Sequence, residues 1–221
     1  MMFNHEQFSR DLKVQKALYK DGQPVDWPLL EQYIAELEKV DLSVLKTDAE
    51  KKSFWINVYN AVTNYWVIKK KIKKSIMESP FMVMLPKVNI AGHRFSLDDI
   101  EHGVLRKNRR SLYKLWKQFG KNSPRNAFVV EKLDHRIHFA LNCGAQSCPT
   151  IAFYTPKLID RQLTMAEESF AEQEFLVDDQ NKVIKCSRIY WMYKKDFENI
   201  YIDDPKYKDY KVSYRKYDFS I

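Results

Sequence analysis

Glycine and proline are scarce in this chain, five and eight in 221 residues, and no Gly/Ser/Pro-rich stretch divides it. It is therefore read as a single domain over residues 1–221, with 1–20 as an N-terminal helical extension. No apolar run reaches the ~18 residues that a membrane span requires, and the opening Met-Met-Phe-Asn-His-Glu lacks the basic-then-apolar order of a secretory leader. The cytoplasm is the expected setting. Three cysteines cannot build a full disulfide framework, and a chain of this size can bury a core without one. No cofactor is expected. The expected partner is a small-molecule or peptide substrate, rather than a membrane or a nucleic acid.

Positive charge, by contrast, is in excess. Lys and Arg number 37 against 29 Asp and Glu, a formal net charge of +8, with clusters at 69–74, 106–110 and 185–195. Such charge favours anionic partners, but no recognisable nucleic-acid-binding module accompanies it. The cluster at 69–74 falls where a long helix should end, a place where cations complement the macrodipole. The basic surface is thus read as mostly a solvated face. Hydrophobic residues make up 45% of the chain and aromatic residues 14%, enough for one substantial core.

Periodicity and turn chemistry predict helices over 5–20, 27–40 and 48–71, the second with Pro28 in its first turn, where its missing N–H costs nothing. A short hairpin follows at 88–92 and 93–95, and Ser96-Leu-Asp-Asp99 reads as a helix start with a cap and an acidic first turn. Further helices are predicted over 109–119, 157–173 and 187–199. Strands are predicted at 136–142, at 175–177 and 183–186 as a hairpin about 178–181, and within 211–219. Helices surrounding a few scattered strands indicate an α+β fold, its small sheet mostly antiparallel.

Two of the three cysteines, a histidine and a glycine crowd into His138-Phe-Ala-Leu-Asn-Cys-Gly-Ala-Gln-Ser-Cys-Pro149. Side chains at a strand end and in the loop after it are held by a scaffold yet reach a cleft. Two helices also carry polar residues where an amphipathic helix would not. At ~100° per residue, Glu101 projects from inside the apolar arc of Leu97, Ile100, Val104 and Leu105. Asp98, His102 and Arg106 fall on the other side, where water can solvate them. A carboxylate inside the arc needs a partner, either a loop-fixing Arg or backbone amide or a catalytic His to orient. In the helix at 48–71, Asn57, Asn60 and Asn64 form an amide stripe within apolar surroundings. Such a stripe can pin neighbouring loops, the favoured role, or polarise a bound carbonyl.

Taken in order, these segments resemble the signature blocks of a known family: Phe54-Trp-Ile-Asn-Val-Tyr-Asn-Ala61; Gly92 with Phe95-Ser-Leu-Asp-Asp-Ile-Glu-His102 through Arg106; and Arg136 to Pro149. The family is DUF547. Trp191-Met-Tyr-Lys-Lys-Asp-Phe197 is similar to its aromatic Trp-Tyr…Asp-Phe block, and Tyr217-Asp-Phe-Ser220 to its terminal Tyr-Asp-Trp-Ser. Phe219 stands for the usual Trp, and Thr150 stands where a second Pro is common. The resemblance spans about residues 20–221. It implies a fold and a set of residues to inspect but no activity, because the family is a domain of unknown function.

Chemistry must then choose among uses of His138, Cys143 and Cys148. A thiol nucleophile needs a lowered pKa, a base, and a third group to orient the base. Cys148 precedes Pro149, a residue favoured at the first helical position, and so fits the N-cap of a short helix toward Tyr154. Cys143 has the opposite strand parity to His138 and would face away from it. The expectation is a thiol-dependent hydrolase or acyl transferase acting on an amide or ester: Cys148 nucleophile, His138 base, Glu101 orienter. Cys143 is the alternative thiol. Asn57, Asn60 or the backbone N–H groups around Gly144 to Ser147 would stabilise an oxyanion. Other readings use the same residues: a zinc site of His138, Cys143 and Cys148 with Glu101 or water, a redox pair of Cys143 with Cys148, and a non-catalytic ligand- or protein-binding domain. The last would expose aromatics such as Trp191, Tyr193 or Phe197, although core packing is the favoured use of all three. Cys186, on a predicted strand far from the block, is read as core.

Overall fold

The computed structural model describes residues 3–79, 81–82, 84–111, 113–149 and 152–221. Its centre is α3 (Asp48–Lys69), begun by a reciprocal capping box between Thr47 and Glu50 and buried on nearly all sides from Ser53 to Ile68. A helix covered all round must be surrounded by other elements. Helix α1 (His5–Lys20), capped by Asn4, lies along it with Phe8 and Leu12 fully buried. Those two side chains alone contribute about 3–6 kcal/mol of apolar burial. Helix α2 (Trp27–Glu38) starts at the Asp26 cap with Pro28 in its first turn.

The α+β class holds, with two small sheets in place of one. Strands β1 (Val88–Ile90) and β2 (His93–Phe95) pair antiparallel, Val88 opposite Phe95. Strands β3 (Phe175–Asp178), β4 (Val183–Cys186) and β5 (Lys211–Tyr214) form the second sheet in that order, antiparallel between β3 and β4 and parallel between β4 and β5. Between the sheets in sequence runs α4 (Ile159–Glu174), and a single short helix, α5 (Arg188–Met192), follows β4. The main core gathers on α3. A second cluster, Phe139, Phe170, Ile184, Cys186, Tyr190 and Phe197, includes the inner face of β4.

Several local expectations change. The stretch 136–142 is not a strand: a 3-10 helix spans His135–Phe139, started by Asp134 accepting from the Arg136 N–H. Ile137 through Leu141 are buried without alternation, which a half-exposed strand would not permit. No described residue of 109–119 is helical, and Leu112 lies outside the described residues. Tyr113 and Lys114 instead bond the buried Asp98, drawing this segment across the helix that begins at Leu97. That helix starts with Ser96 and Asp99 capping each other reciprocally, but Asp99–Leu105 is π-helical. Its wider turn leaves Gly103 against the Phe119 ring, where an added Cβ would come within 2.3 Å of the ring. The helix after Ser187 stops at Met192, and the last strand ends at Tyr214.

Candidate active site

The amide stripe of α3 builds the site from beneath. Asn60 donates to the Ala140 carbonyl at 3.0 Å and accepts from the Asn142 N–H at 2.9 Å. One turn earlier, Asn57 donates to the Tyr154 carbonyl at 2.7 Å and accepts from its N–H at 3.0 Å. The stripe therefore clamps both ends of the cysteine loop. Asn57 Nδ2 also lies 2.8 Å from His5 Nδ1, and both buried side chains hold loop backbone, the favoured pinning role. Asn64, next along the stripe, is fully buried with both amide atoms lacking a hydrogen-bond partner among the described residues.

Within the loop, Asn142 acts as a clasp, accepting from the Gly144 N–H at 2.7 Å and donating to the Pro149 carbonyl at 2.7 Å. Gly144 has φ +99°, a left-handed conformation open to glycine, and its missing Cβ would sit 3.3 Å from Ile76 and 3.4 Å from Val67. The C-terminal tail lies over the loop: the Gln146 and Ser147 N–H groups donate to the Ser220 and Asp218 carbonyls, and Ser147 Oγ accepts from the Asp218 N–H. The backbone N–H groups of Gly144, Gln146 and Ser147 are thus occupied, which removes them as oxyanion donors. The short helix expected after Pro149 is also absent, since Pro149 and residues 152–155 are non-helical, while Thr150 and Ile151 lie outside the described residues.

Folded this way, the loop brings the two sulfurs together. Cys143 Sγ and Cys148 Sγ are 3.1 Å apart, the Cys143 N–H donates to Cys148 Sγ at 3.3 Å, and the Tyr217 hydroxyl lies 3.2 Å from the same sulfur. The Cys143 thiol hydrogen bond holds the Cys148 pKa down to about 7 against the burial that would raise it, helped by Tyr217 and the backbone. Cys143, as donor beside that sulfur and itself buried, is pushed well up. Lys16 of α1 reaches the Gly144 carbonyl at 3.5 Å; burial and the neighbouring Lys20 lower its pKa, and the cysteine pair, Cys148 first, works against that. A cavity of about 200 Å³ adjoins Cys148 between the loop and α4, lined by Phe139, Pro149, Ala166, Phe170 and Gln173 among others.

His138 belongs to a second, buried cluster. Its Nε2 is 2.9 Å from Asp196 Oδ2, its ring stacks on Tyr193 at 3.7 Å, and Nδ1 is buried without a hydrogen-bond partner among the described residues. Burial lowers its pKa although Asp196 raises it. The neutral ring then donates from Nε2 to Asp196, which leaves the Nδ1 lone pair enclosed by protein and unpaired among the described residues. Burial would raise the Asp196 carboxyl, but His138 and the Arg106 guanidinium hold it well below the usual carboxylate range.

The carboxylate that orients His138 is therefore Asp196, and Glu101 is not. Glu101 faces into the protein as its arc predicts, but it accepts from the Tyr59 and Tyr193 hydroxyls. Asp98, His102 and Arg106 were expected in water and are all buried. The π turn and the overlying segments enclose them, and Asp196, Tyr113 and Lys114 supply the partners: Arg106 pairs with both Asp196 oxygens at 2.6 and 3.0 Å, and also donates to His102 Nδ1. Tyr59 links the clusters, since its hydroxyl donates to Glu101 while the charges of Glu101, Cys143 and Cys148, after burial, raise its pKa.

Three residues at the site had no assigned role in the sequence. Lys16 gave no signal. Asp196 and Tyr217 lay inside the two terminal family blocks, which was the available pointer. Of the aromatics offered as a binding surface, Trp191 is exposed while Phe197 is fully buried. Cys186 is buried on β4. Among the described residues, no group of three His, Cys, Asp or Glu side chains is arranged to hold a metal ion, and no helix is long and apolar enough to cross a membrane. A family model described as protein of unknown function, DUF547, matches residues 42–171. It covers the amide stripe, the π-helical segment and the cysteine loop, and stops short of Asp196 and Tyr217. No curated protein and no solved structure matches the chain.

Proposed function

The chain belongs to the DUF547 family, a membership that fixes no reaction, and from the geometry of the site we propose a thiol-dependent hydrolase or acyl transferase acting on an amide or ester. Cys148 is the nucleophile. The observation that carries this reading is the set of donors converging on its sulfur, the Cys143 N–H and thiol and the Tyr217 hydroxyl, at the edge of a cavity. Charge-assisted donors favour the thiolate, which is the attacking species. That cavity is smaller than the ~300–1,000 Å³ of sites for drug-sized ligands, so it suits a small acyl group or a single side chain of a peptide. The Cys148 thiolate bonds to the carbonyl carbon, the C–O or C–N bond breaks and the alcohol or amine leaves with a proton from solvent; water or an acceptor then bonds to the same carbon, the S–C bond breaks and the thiolate returns. His138, neutral and oriented by Asp196, is the base for that second step. Free thiols fit a reducing compartment such as the cytoplasm, which belongs to the same reading.

An activated ester tests it on the folded, reduced chain by peptide mapping. One acyl adduct is expected at Cys148, absent in Cys148→Ala, with turnover down by about 10²–10⁴ in His138→Ala, the usual weight of a general base. Acylation confined to Cys143 or Cys186, or turnover unchanged in His138→Ala, overturns the assignment. A second reading, a ligand- or protein-binding domain, is favoured by the exposure of Leu115 and Trp116 at 83% and 68%. It predicts no adduct in any of these samples.

A further inference from the structure

The presence of a second thiol at the reactive one is not required for acyl transfer. A nucleophile needs a base and an oxyanion site, and a neighbouring S–H can be replaced by any donor. Yet the loop is constructed to bring these two sulfurs into contact. The Asn142 clasp and the left-handed Gly144 fold residues 143–148 back on themselves, the tail fixes Gln146 and Ser147 from above, and Tyr217 lies within 3.2 and 3.8 Å of Cys148 and Cys143. Both cysteines are half-buried, and Cys148 lines a cavity that a small oxidant can enter, whereas Cys186 is fully buried on β4.

We propose that Cys148 and Cys143 form a two-thiol oxidation site for a hydroperoxide, in which Cys143 resolves the oxidised Cys148 as an intramolecular disulfide. This rests on the reading of Cys148 as the reactive thiol, and it adds reversible control of that thiol. In the first step Cys148 Sγ attacks one peroxide oxygen: an S–O bond forms, the O–O bond breaks, and the alcohol or water leaves with the proton lost by Cys148. In the second, Cys143 Sγ attacks the sulfenic sulfur: the S–S bond forms, the S–O bond breaks, and hydroxide departs as water with the Cys143 proton. Two thiols lose two electrons, and one hydroperoxide gains them. From 3.1 Å, the sulfurs close to the ~2.05 Å of a disulfide with about 1 Å of movement. Closure removes the nucleophile and stops the pair short of sulfinic acid.

The experiment treats the reduced, folded chain with hydrogen peroxide and follows it by intact mass and peptide mapping, with dimedone to trap sulfenic acid. The wild type is expected to lose two hydrogens, to yield a Cys143–Cys148 cross-linked peptide and to recover fully with dithiothreitol. In Cys143→Ser, Cys148 should trap dimedone and then proceed to sulfinic acid at least about tenfold faster than in the wild type, because the resolving step is gone. Sulfinic acid forming equally fast in both, a cross-link to Cys186, or no oxidation overturns the proposal; the wild-type result decides even if the variant fails to fold. Activated-ester labelling of the same reduced sample separates the two readings. Disulfide without acylation leaves the oxidation site standing and removes the acyl transferase; acylation without disulfide does the reverse.

Discussion

Replacing Asp196 with Asn should destabilise the fold far more than an ordinary surface change, and the size follows from its neighbours. The side chain is fully buried and accepts from Arg106 Nε and Nη2, Arg109 Nη1 and His138 Nε2. An Asn retains one oxygen but turns an N–H₂ toward donors, leaving a guanidinium with 8% side-chain exposure without its counter-charge. Breaking one partner of a buried ion pair costs about 3–5 kcal/mol. Arg109 is 44% exposed, so its share is at most about 1 kcal/mol. Against a total stability of about 5–15 kcal/mol, the loss is a third or more for most of that range. Urea unfolding followed by tryptophan fluorescence at neutral pH measures it. Adding Arg106→Met removes the stranded cation, and Asp196→Asn/Arg106→Met should recover most of the loss, since no buried charge is then left without its partner. A single-variant loss below about 1 kcal/mol, or a double variant no better than the single, would refute the account of Asp196 as the hub of the buried charges.

Other consequences are measurable on the same preparations. Tyr217→Phe should raise the pH midpoint of iodoacetamide alkylation at Cys148, from about 7, by about one unit, the equivalent of one charge-assisted contact. Lys16 bonds the Gly144 carbonyl rather than the sulfur, so Lys16→Met should raise it by less; an unmoved midpoint in both removes their electrostatic role. Asn60→Leu should cost about 2–3 kcal/mol by stranding the Ala140 and Asn142 backbone groups, whereas Asn64→Leu should be neutral or stabilising because its amide has no partner to lose among the described residues. Equal losses would contradict the division of labour along the stripe. Burial lowers the pKa of His138, His102 and His5, the last to about 4. The unfolded chain therefore binds more protons below the ordinary value of 6.5, so this stability is complete above that pH and drains away as pH falls toward 4. The depressed carboxyls of Asp196 and Asp134 add a second loss only below about 4. Urea midpoints that stay level between neutrality and pH 5 would count against the buried histidines.

The parts of the fold that could be read from the chain are those that repeat or cap. Helices α1, α2 and α3 carry a cap residue at the expected start, and both hairpins place their turns where the sequence puts Ala91-Gly92 and Asp178 to Asn181. The stretch 136–142 misled because its apolar run is short. Such runs fit a strand or a buried helical turn equally, and here both sides are covered, so no alternation survives to choose. The apolar spacing at 109–119 misled differently. Leu115 and Trp116 belong to the periodic pattern but point to solvent, and the segment takes its course from Tyr113 and Lys114 reaching Asp98. The same distinction governs the site. The Cys143 and Cys148 pair is local and visible in one block. Asp196 lies 58 residues from His138, Tyr217 lies 69 from Cys148, and Lys16 lies 128 from Gly144. Pairings of that separation are set by topology, which periodicity does not encode.

The buried charges bear on whether this is a scaffold or a reactive site. Asp98, Glu101, His102, Arg106 and Asp196 take ionisable groups out of water in the interior beside the main core. An ion pair so placed is no more stable than a well-packed apolar substitute, so folding alone gives little reason for the cluster. What the cluster does provide is a neutral His138 with Nε2 engaged and a buried Nδ1 that lacks a partner among the described residues, and a Tyr59 hydroxyl that senses both Glu101 and the thiols. The double variant Asp196→Asn/Arg106→Met therefore separates the two possibilities. If the cluster is only structural, restored stability should bring restored ester turnover. If it sets the protonation of His138, the protein should regain its urea midpoint and still form the Cys148 adduct, while release of the acyl group stays slow by about the 10²–10⁴ of a lost general base.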